Sequence, residues 1–250
     1  MSQIVIVTGA SRGIGAATAR LLGREKAAVV VNYRSAEAQA DAVVRDVEVS
    51  GGRAVALQGD MGNEPDILRL FAETDRVFGP LTGLVNNAGV IGGEKRRIDA
   101  ITFTNVMEVM RVNVAGPLLC AREAIKRMSM RNGGKGGAIV NVSSLGALTG
   151  SPHAFIDYAA SKGALDSMTI GLAAEVAGSG IRVNAVRPGL IDTEIHDGAG
   201  IPDRVKRFGP KMPIGRAGTP DEVAEAIVWL LSDKASYVTG DFINVTGGAR

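Results

Sequence analysis

Several residue types that serve common protein chemistries are scarce in this chain of 250 residues. Cys120 is the single cysteine, so no disulfide within the chain and no multi-cysteine metal cluster can form. The two histidines, His153 and His196, are too few to favour a zinc site, and we expect no bound metal. Aromatic residues make up 4% of the sequence, which is little for a surface that stacks single-stranded nucleic acid.

The charge balance and the hydrophobic runs exclude two further classes of protein. The chain has 28 basic and 26 acidic residues, a formal net charge of +2, which provides no broad attraction for nucleic acid or anionic membranes. No apolar run approaches the roughly 18 residues of a membrane span, and the first residues lack the pattern of a secretory signal. We therefore predict a cytoplasmic protein with neither a membrane nor a nucleic-acid partner.

Short apolar runs alternate along the chain with longer helical patterns. The runs are apolar nearly throughout, which is typical of strands covered on both faces of a parallel sheet. They lie at residues 4–8, 29–32, 54–57, 84–86, 139–142, 182–186 and 242–245. Helical patterns lie at residues 13–24, 36–49, 64–77, 112–130, 155–178 and 220–232. The alternation predicts a single α/β domain over residues 1–250, a doubly wound parallel sheet of about seven strands of the Rossmann type.

Residues 191–219 form a long segment rich in glycine and proline between the sixth strand and the last helix. A connection of this length inside a compact domain predicts a mobile lid. Its basic residues offer positive charge that can attract a phosphorylated or carrier-bound substrate. The alternative, which the composition favours, is that they form a solvated face of a helix. These residues are Arg204, Lys206, Arg207 and Lys211.

The first chemical motif is a glycine-rich turn directly after the first strand. Gly9, Gly13 and Gly15 follow the spacing G-x3-G-x-G and lead into the first helix. Glycines let the backbone approach a pyrophosphate closely, and a helix N-terminus provides free N–H groups and partial positive charge. The turn therefore predicts a dinucleotide site, although the same spacing also serves as a tight strand–helix connection.

The second motif is Tyr158 followed by Lys162, which places the two side chains one helical turn apart on the same face. An ammonium about 4 Å from a phenolate stabilises it by about 4 kcal/mol at an effective dielectric near 20, which corresponds to roughly three pKa units. We expect such a pair to bring the phenol towards a neutral pKa. The phenol can then donate or accept the proton that accompanies hydride transfer.

Together with three further motifs, in this order, the sequence resembles the short-chain dehydrogenase/reductase family over essentially its whole length. The further motifs are Asn86-Asn87-Ala88-Gly89 with Asn113, the run Ile139 to Ser144, and Arg187-Pro188-Gly189 with Thr193. The similarity is to the compact single-domain branch, and to its glucose 1-dehydrogenase-like and 3-oxoacyl-carrier-protein reductase-like members.

The resemblance implies roles for four catalytic residues. Tyr158 is implied as the acid/base, and Lys162 as the group that lowers its pKa and holds the nicotinamide ribose. Asn113 is implied as the anchor of a water relay to Lys162. A serine is implied as the donor to the substrate oxygen, and of Ser143 and Ser144 the strand alignment favours Ser144.

The resemblance also implies a binding surface for NADP(H). The second strand ends at Asn32 where an NAD-selective site has a carboxylate, and Arg12 and Arg34 are placed to meet the additional phosphate. We expect a preference for NADP(H) that still admits NAD(H). The implied cofactor residues also include Gly9, Ser11, Gly13, Ile14, Gly15, Tyr33, Ser35, Asp60, Met61, Asn87, Ala88, Gly89, Pro188, Gly189, Ile191 and Thr193.

The expected function is therefore an oxidoreductase that moves hydride between NADP(H) and a small ketone or secondary alcohol. The alternative is a non-catalytic NADP(H)-binding regulator on the same fold, since a fold does not fix a function. The presence of all four implied catalytic residues favours the enzyme. Because the two long helices are apolar on more than one face, notably at Ile170, Leu172 and Val176, and because the resemblance extends to tetrameric members, we expect a homotetramer.

Overall fold

A parallel sheet of seven strands forms the centre of the protein. The computed structural model describes residues 3–94, 96–196 and 200–250. The strands, in chain order, are β1 (Ile4–Val7), β2 (Ala28–Tyr33), β3 (Arg53–Gln58), β4 (Gly83–Asn86), β5 (Gly137–Val142), β6 (Ile181–Pro188) and β7 (Phe242–Val245). Their spatial order is β3-β2-β1-β4-β5-β6-β7, and every pairing is parallel. The predicted doubly wound Rossmann-type sheet is confirmed.

Helices cover both faces of this sheet. They are α1 (Gly13–Arg24), α2 (Glu37–Val49), α3 (Glu64–Phe78), α4 (Phe103–Met110), α5 (Gly116–Met128), α6 (Gly146–Thr149), α7 (Ile156–Val176), α8 (Arg204–Phe208) and α9 (Pro220–Leu231). Short 3-10 turns lie at Ile98–Ala100, Met130–Asn132, Ala177–Ser179, Glu194–His196, Gly209–Lys211 and Asp233–Ala235. One apolar core lies between the sheet and α1, α2 and α9, and a second lies between the sheet and α3, α5 and α7. In the part of the chain that the structure describes, no helix is long and apolar enough to cross a membrane.

Burial differs between the middle and the edges of the sheet. Every residue of β1, β2 and β4 is buried, as their continuous apolar runs predict. The edge strands β3 and β7 are only half-buried, although each of them also consists mostly of apolar residues. Residue type alone therefore does not separate an edge strand from a central one, because strand order is decided by the chain's crossovers.

The helix expected at residues 112–130 is longer and less regular than its sequence pattern indicates. It begins as α4, where the Thr102 hydroxyl accepts from Asn105 N and the Asn105 side chain accepts from Thr102 N. A π-turn at Arg111–Ala115 then joins α4 to α5. Pro117 has no N–H for the carbonyl of Asn113 one turn before it, which explains why the regular helix is interrupted here.

A buried network of hydrogen bonds between polar side chains holds α7 on the sheet. Asn86 Nδ2 donates to Asn141 Oδ1 at 2.9 Å, and Asn141 Nδ2 donates to Thr169 Oγ1 at 2.9 Å. Thr169 Oγ1 in turn donates to the Leu165 carbonyl of its own helix at 2.9 Å. These bonds link β4, β5 and α7, and each buried polar atom in them has a partner. The register of α7 along β5 is thereby set by directional bonds as well as by apolar packing.

The two ends of the glycine-rich segment at residues 191–219 are tied together. Ile191 pairs with Gly218 in a parallel bridge, and Asp192 N donates to the Gly218 carbonyl at 2.9 Å. The segment contains α8, while its residues 197–199 lie outside the described residues. The closed base makes this segment a loop with fixed ends, and its mobility stays a prediction.

The C-terminus of α9 is held by an arginine from the neighbouring strand β6. Arg182 donates to the carbonyls of Leu230 at 2.8 Å, Ser232 at 3.1 Å and Leu231 at 3.4 Å. The last carbonyls of a helix have no partners within the helix, so a half-buried guanidinium at this point provides several bonds at once. Burial lowers the pKa of Arg182, and the nearby Asp233 raises it.

Replacement of Arg182 tests how much this cap contributes to stability. We expect Arg182→Met to lower the free energy of unfolding by about 2–3 kcal/mol, since charged hydrogen bonds are removed and buried carbonyls lose their donor. The measurement is urea unfolding followed by circular dichroism. Arg45→Met is the control, because Arg45 is exposed in the middle of α2, and there we expect a change below about 0.5 kcal/mol. Equal stabilities for the two variants would contradict the assigned role.

Candidate active site

The glycine-rich turn after β1 adopts a conformation that requires its glycines. Gly9 and Gly13 have positive φ angles of 61° and 54°. A Cβ on Gly15 would lie 2.5 Å from Asn87 Nδ2 and 2.6 Å from the Gly9 carbonyl oxygen, closer than any side chain tolerates. The turn leads into α1, whose N-cap residue Arg12 makes no side-chain cap bond. The first N–H groups of α1 therefore remain available to an anion.

Two amide side chains hold this turn in place. Asn32 Oδ1 accepts from Gly9 N at 3.1 Å, while its Nδ2 donates to the carbonyls of Leu57 at 3.2 Å and Gly59 at 3.1 Å. Asn87 Nδ2 donates to the carbonyls of Thr8 at 2.8 Å and Gly9 at 3.0 Å. Asn32 thus has a structural role that the sequence did not reveal. An aspartate at position 32 would face two carbonyl oxygens without a proton to donate.

A single cavity of about 520 Å³ runs from this turn to the start of α7 along the carboxyl ends of the strands. At its first end lie Arg12, Arg34 and Ser35, and both arginines are exposed. Among the described residues neither guanidinium has a hydrogen-bond or ion-pair partner. Two unpaired cations at the end of β2 can receive a phosphate group.

Tyr158 and Lys162 lie at the other end of the cavity. Lys162 Nζ is 5.7 Å from the centre of the Tyr158 ring and donates to the Val142 carbonyl at 2.7 Å. The Lys162 side chain is buried, and a Cβ on Gly89 would lie 3.5 Å from its Nζ. The glycine therefore leaves open the space in front of the ammonium, where a hydroxyl group of a ligand can bind.

The pKa values of this pair are displaced from their usual values by burial. Burial raises the pKa of Tyr158, which outweighs the lowering by the Ser144 hydroxyl and the charge of Arg204. Burial lowers the pKa of Lys162 to about 8, against the opposing effect of Asp166. The pKa of Tyr158 is thus raised, whereas its spacing to Lys162 predicted a lowered pKa. The reason is that desolvation of the phenolate dominates. Tyr158 is consequently protonated at neutral pH in this state and able to donate a proton.

The two adjacent serines after β5 have different surroundings. Ser144 accepts from Gly146 N at 3.0 Å and lies close enough to Tyr158 for its hydroxyl to affect the pKa of the phenol. Ser143 is buried and donates to the Lys162 carbonyl at 3.3 Å. Both line the cavity. Of the two hydroxyls, that of Ser144 is the one that lies near Tyr158.

Asn113 lies behind the cavity wall, within the π-turn. Its Oδ1 accepts from Val90 N at 2.8 Å, and its Nδ2 donates to the Val90 carbonyl at 2.9 Å and to Ser161 Oγ at 3.0 Å. The side chain thus ties the loop after β4 to α7 close to Lys162. Its hydrogen bonds are directed to protein groups rather than into the cavity.

Most of the other residues proposed from the sequence line the same cavity. These are Gly9, Ser11, Gly13, Ile14, Asn32, Asp60, Met61, Asn87, Ala88, Gly89, Pro188, Gly189, Ile191 and Thr193. Asp60 also accepts from Gly62 N at 2.8 Å and pairs with Arg111 at 3.1 Å, so it stabilises its own turn as well. Gly15 and Tyr33 do not line the cavity. Gly15 packs beneath the turn, and Tyr33 is buried in the core beside α2.

Two arginines lie near α7, and their positions in the sequence had not indicated it. Arg204, expected on a solvated helix face, is half-buried and lines the cavity near Tyr158. Arg96, in the loop after β4, forms a buried ion pair with Asp157, the residue before Tyr158. Its other bonds go to the carbonyls of Gly92 at 2.9 Å and Glu94 at 3.0 Å. No sequence spacing indicates such a pair, because loop and helix meet only in the folded chain.

Known proteins with similar sequence or structure cover nearly the whole chain. A family model described as enoyl-(acyl carrier protein) reductase matches residues 9–250. The oxidoreductase YgfF of Escherichia coli is 51% identical over 98% of this chain and 99% of its own. Glucose 1-dehydrogenase 2 of Bacillus subtilis is 39% identical over 98% of this chain and 94% of its own. The crystal structure of a dehydrogenase/reductase from Sinorhizobium meliloti superposes with a TM-score of 0.90 at 34% identity, covering 99% of this chain and 95% of that one.

Sequence similarity of this extent and the shared seven-stranded fold agree with the motifs brought together around the cavity. The chain belongs to the short-chain dehydrogenase/reductase family of oxidoreductases.

Proposed function

We propose that this oxidoreductase interconverts a ketone and a secondary alcohol with NADP(H) as the hydride carrier and Tyr158 as the acid/base. The observation that carries the proposal is the single cavity, which has phosphate-binding features at one end and Tyr158, Ser144 and Lys162 at the other. Neither feature alone specifies hydride transfer, but one cavity that joins them along the strand ends is suited to a dinucleotide.

The residues at the catalytic end have complementary tasks. In the reducing direction hydride adds to the carbonyl carbon, and the protonated Tyr158 donates its proton to the carbonyl oxygen. Ser144 hydrogen-bonds the same oxygen and stabilises the charge that develops on it. Lys162, held by the Val142 carbonyl, is positioned to bind the ribose hydroxyls and to stabilise the phenolate left behind. Oxidation of the alcohol uses the reverse transfers.

The binding end accounts for the cofactor preference. Bound in the cavity, the nicotinamide dinucleotide supplies or accepts the hydride. The N–H groups of the glycine-rich turn would hold its pyrophosphate, and Arg12 and Arg34 its additional phosphate. Because position 32 carries an amide and not a carboxylate, nothing at the end of β2 repels that phosphate. The site admits NAD(H) as well, through contacts that do not involve the phosphate.

We also propose a homotetramer that acts on small molecules in the cytoplasm. Of the three apolar residues of α7 from which the sequence predicted a tetramer, Ile170 is exposed. Leu172 packs against the core, and Val176 is buried. Leu118 of α5 is exposed as well. Apolar side chains exposed on both long helices favour contact with a second copy of the chain.

The role of Tyr158 can be tested by removing only its hydroxyl. We expect purified Tyr158→Phe to fold and bind NADPH as the parent does but to lose at least about 99% of kcat, because no other group can transfer the proton. Tyr237→Phe is the matched control, since Tyr237 is fully exposed, and it should retain full activity. A Tyr158→Phe variant with more than a few per cent of the parent kcat would overturn the mechanism.

The cofactor preference can be tested at Arg34. We expect a higher kcat/KM with NADPH than with NADH, and a ten- to hundredfold smaller preference in Arg34→Gln, the effect of about one charged hydrogen bond to phosphate. Arg24→Gln, at the far end of α1, removes the same charge away from the cavity and should leave the preference unchanged. A parent enzyme that prefers NADH would contradict the proposed roles of Arg12 and Arg34.

Assembly can be tested by placing a charge on the exposed apolar face of α7. Light scattering should give about four times the chain mass of 25.9 kDa for the parent protein, and a smaller particle for Ile170→Lys. Val49→Lys introduces the same charge at an exposed apolar position at the end of α2 and should leave the assembly intact. A monomeric parent protein at micromolar concentration would rule out the tetramer.

A further inference from the structure

A second cavity, of about 610 Å³, adjoins the catalytic cavity on the side of the 191–219 segment. Its apolar lining comes from Ala154, Ile201 and Phe208 among others. Leu190, Arg204 and Met212 line both cavities and so stand between them. A substrate whose reacting carbon lies at Tyr158 and whose remainder extends into the second cavity passes between these three residues, of which only Arg204 is charged.

The guanidinium of Arg204 lies near Tyr158 and has no acidic partner in the part of the chain that the structure describes. Its Cζ lies 5.7 Å from the centre of the Phe155 ring, and Phe155 is buried three residues before Tyr158. Arg204 is half-buried, and burial lowers its pKa while the nearby Tyr158 raises it. Among the described residues no carboxylate pairs with it. Charges that lose solvent in proteins are normally paired, so an unpaired guanidinium here is suited to an external anion.

The other charges near the two cavities have different positions or partners. Arg96 is paired with Asp157, and Lys162 donates to the Val142 carbonyl. The second cavity is lined by two acidic residues, Glu94 and Asp203, and by Arg204 and Arg207, so that its charges balance. The catalytic cavity has Glu194 on its rim. This balance favours a monoanion over a phosphate dianion.

We propose that Arg204 selects substrates that carry a carboxylate a few bonds from the reacting carbon, so that the enzyme acts on oxo acids or hydroxy acids. The carboxylate binds the guanidinium between the two cavities, while the carbonyl or hydroxyl oxygen meets Tyr158 and Ser144. This inference deepens the proposed function and rests on it. Arg204 is a specificity-determining residue in this scheme, and the proton is still transferred by Tyr158.

The test compares acids with their uncharged esters. The probes are acetoacetate, 4-oxopentanoate and 4-oxocyclohexanecarboxylate, each beside its methyl ester, with NADPH as the reductant. We expect the parent enzyme to favour at least one acid over its ester ten- to hundredfold in kcat/KM, the effect of one well-aligned charged contact. Arg204→Gln should lose this preference, measured as the ratio of kcat/KM for an acid to kcat/KM for its ester, and Arg204→Lys should retain part of it.

Lys206→Gln is the matched control, because Lys206 lies on the same helix α8, is exposed and lines neither cavity. It should keep the preference of the parent enzyme. Equal kcat/KM for acids and esters in the parent would overturn the proposal. So would an Arg204→Gln variant that keeps the acid-to-ester ratio of the parent, which would mean that Arg204 acts on Tyr158 and not on the substrate.

A binding measurement separates this inference from the proposed function. Calorimetry with the Tyr158→Phe variant and NADPH should show tighter binding of the acids than of the esters, and Arg204→Gln in that background should abolish the difference. Selective binding without turnover by the parent enzyme would contradict the proposed function and support the anion site. Turnover of ketones and esters without any preference for acids would contradict the anion site and leave the proposed function standing.

Discussion

The close approach of β1 and β4 beneath the glycine-rich turn is the constraint on which the rest of the site depends. The sheet order reverses between these two strands, and this is where open α/β sheets bind their ligands. Asn87 reaches from the end of β4 to two carbonyls of the turn, and Asn32 reaches from β2 to Gly9 N. A side chain at Gly15 would occupy the volume of the Asn87 amide. The turn is therefore held by bonds from both sides before any ligand binds.

A second set of contacts places α7 with comparable accuracy. The buried bonds through Asn141 and Thr169 anchor the middle of the helix to the sheet. Asn113 ties the loop after β4 to Ser161, and Arg96 ties the same loop to Asp157. Tyr158 and Lys162 thus project from a helix that is fixed along its length. Side chains held in this way need little rearrangement when a ligand binds beside them.

Burial shifts the pKa values of Tyr158 and Lys162 in opposite directions, and both shifts favour the neutral form of the group. Desolvation raises the pKa of Tyr158 and lowers the pKa of Lys162. A protonated phenol is the form needed to reduce a carbonyl, and a lysine with a pKa of about 8 remains largely charged at neutral pH. The half-buried Arg204 adds positive charge on the substrate side. The site therefore combines an available proton with cations that stabilise negative charge.

Four features could be predicted from the amino-acid sequence alone: the seven strands, the parallel sheet, the glycine-rich turn and the Tyr158–Lys162 pair. These features depend on local periodicity and on residues close together in the chain, so their patterns are readable without coordinates. The folded chain was needed to show that β3 and β7 are edge strands, that the Asn32 amide bonds to backbone groups and that Tyr33 faces the core. It also decided that Arg96 meets Asp157 and that Arg204 faces the catalytic cavity. Each of these outcomes depends on contacts between distant segments and on the resulting loss of solvent, neither of which is encoded in a local pattern.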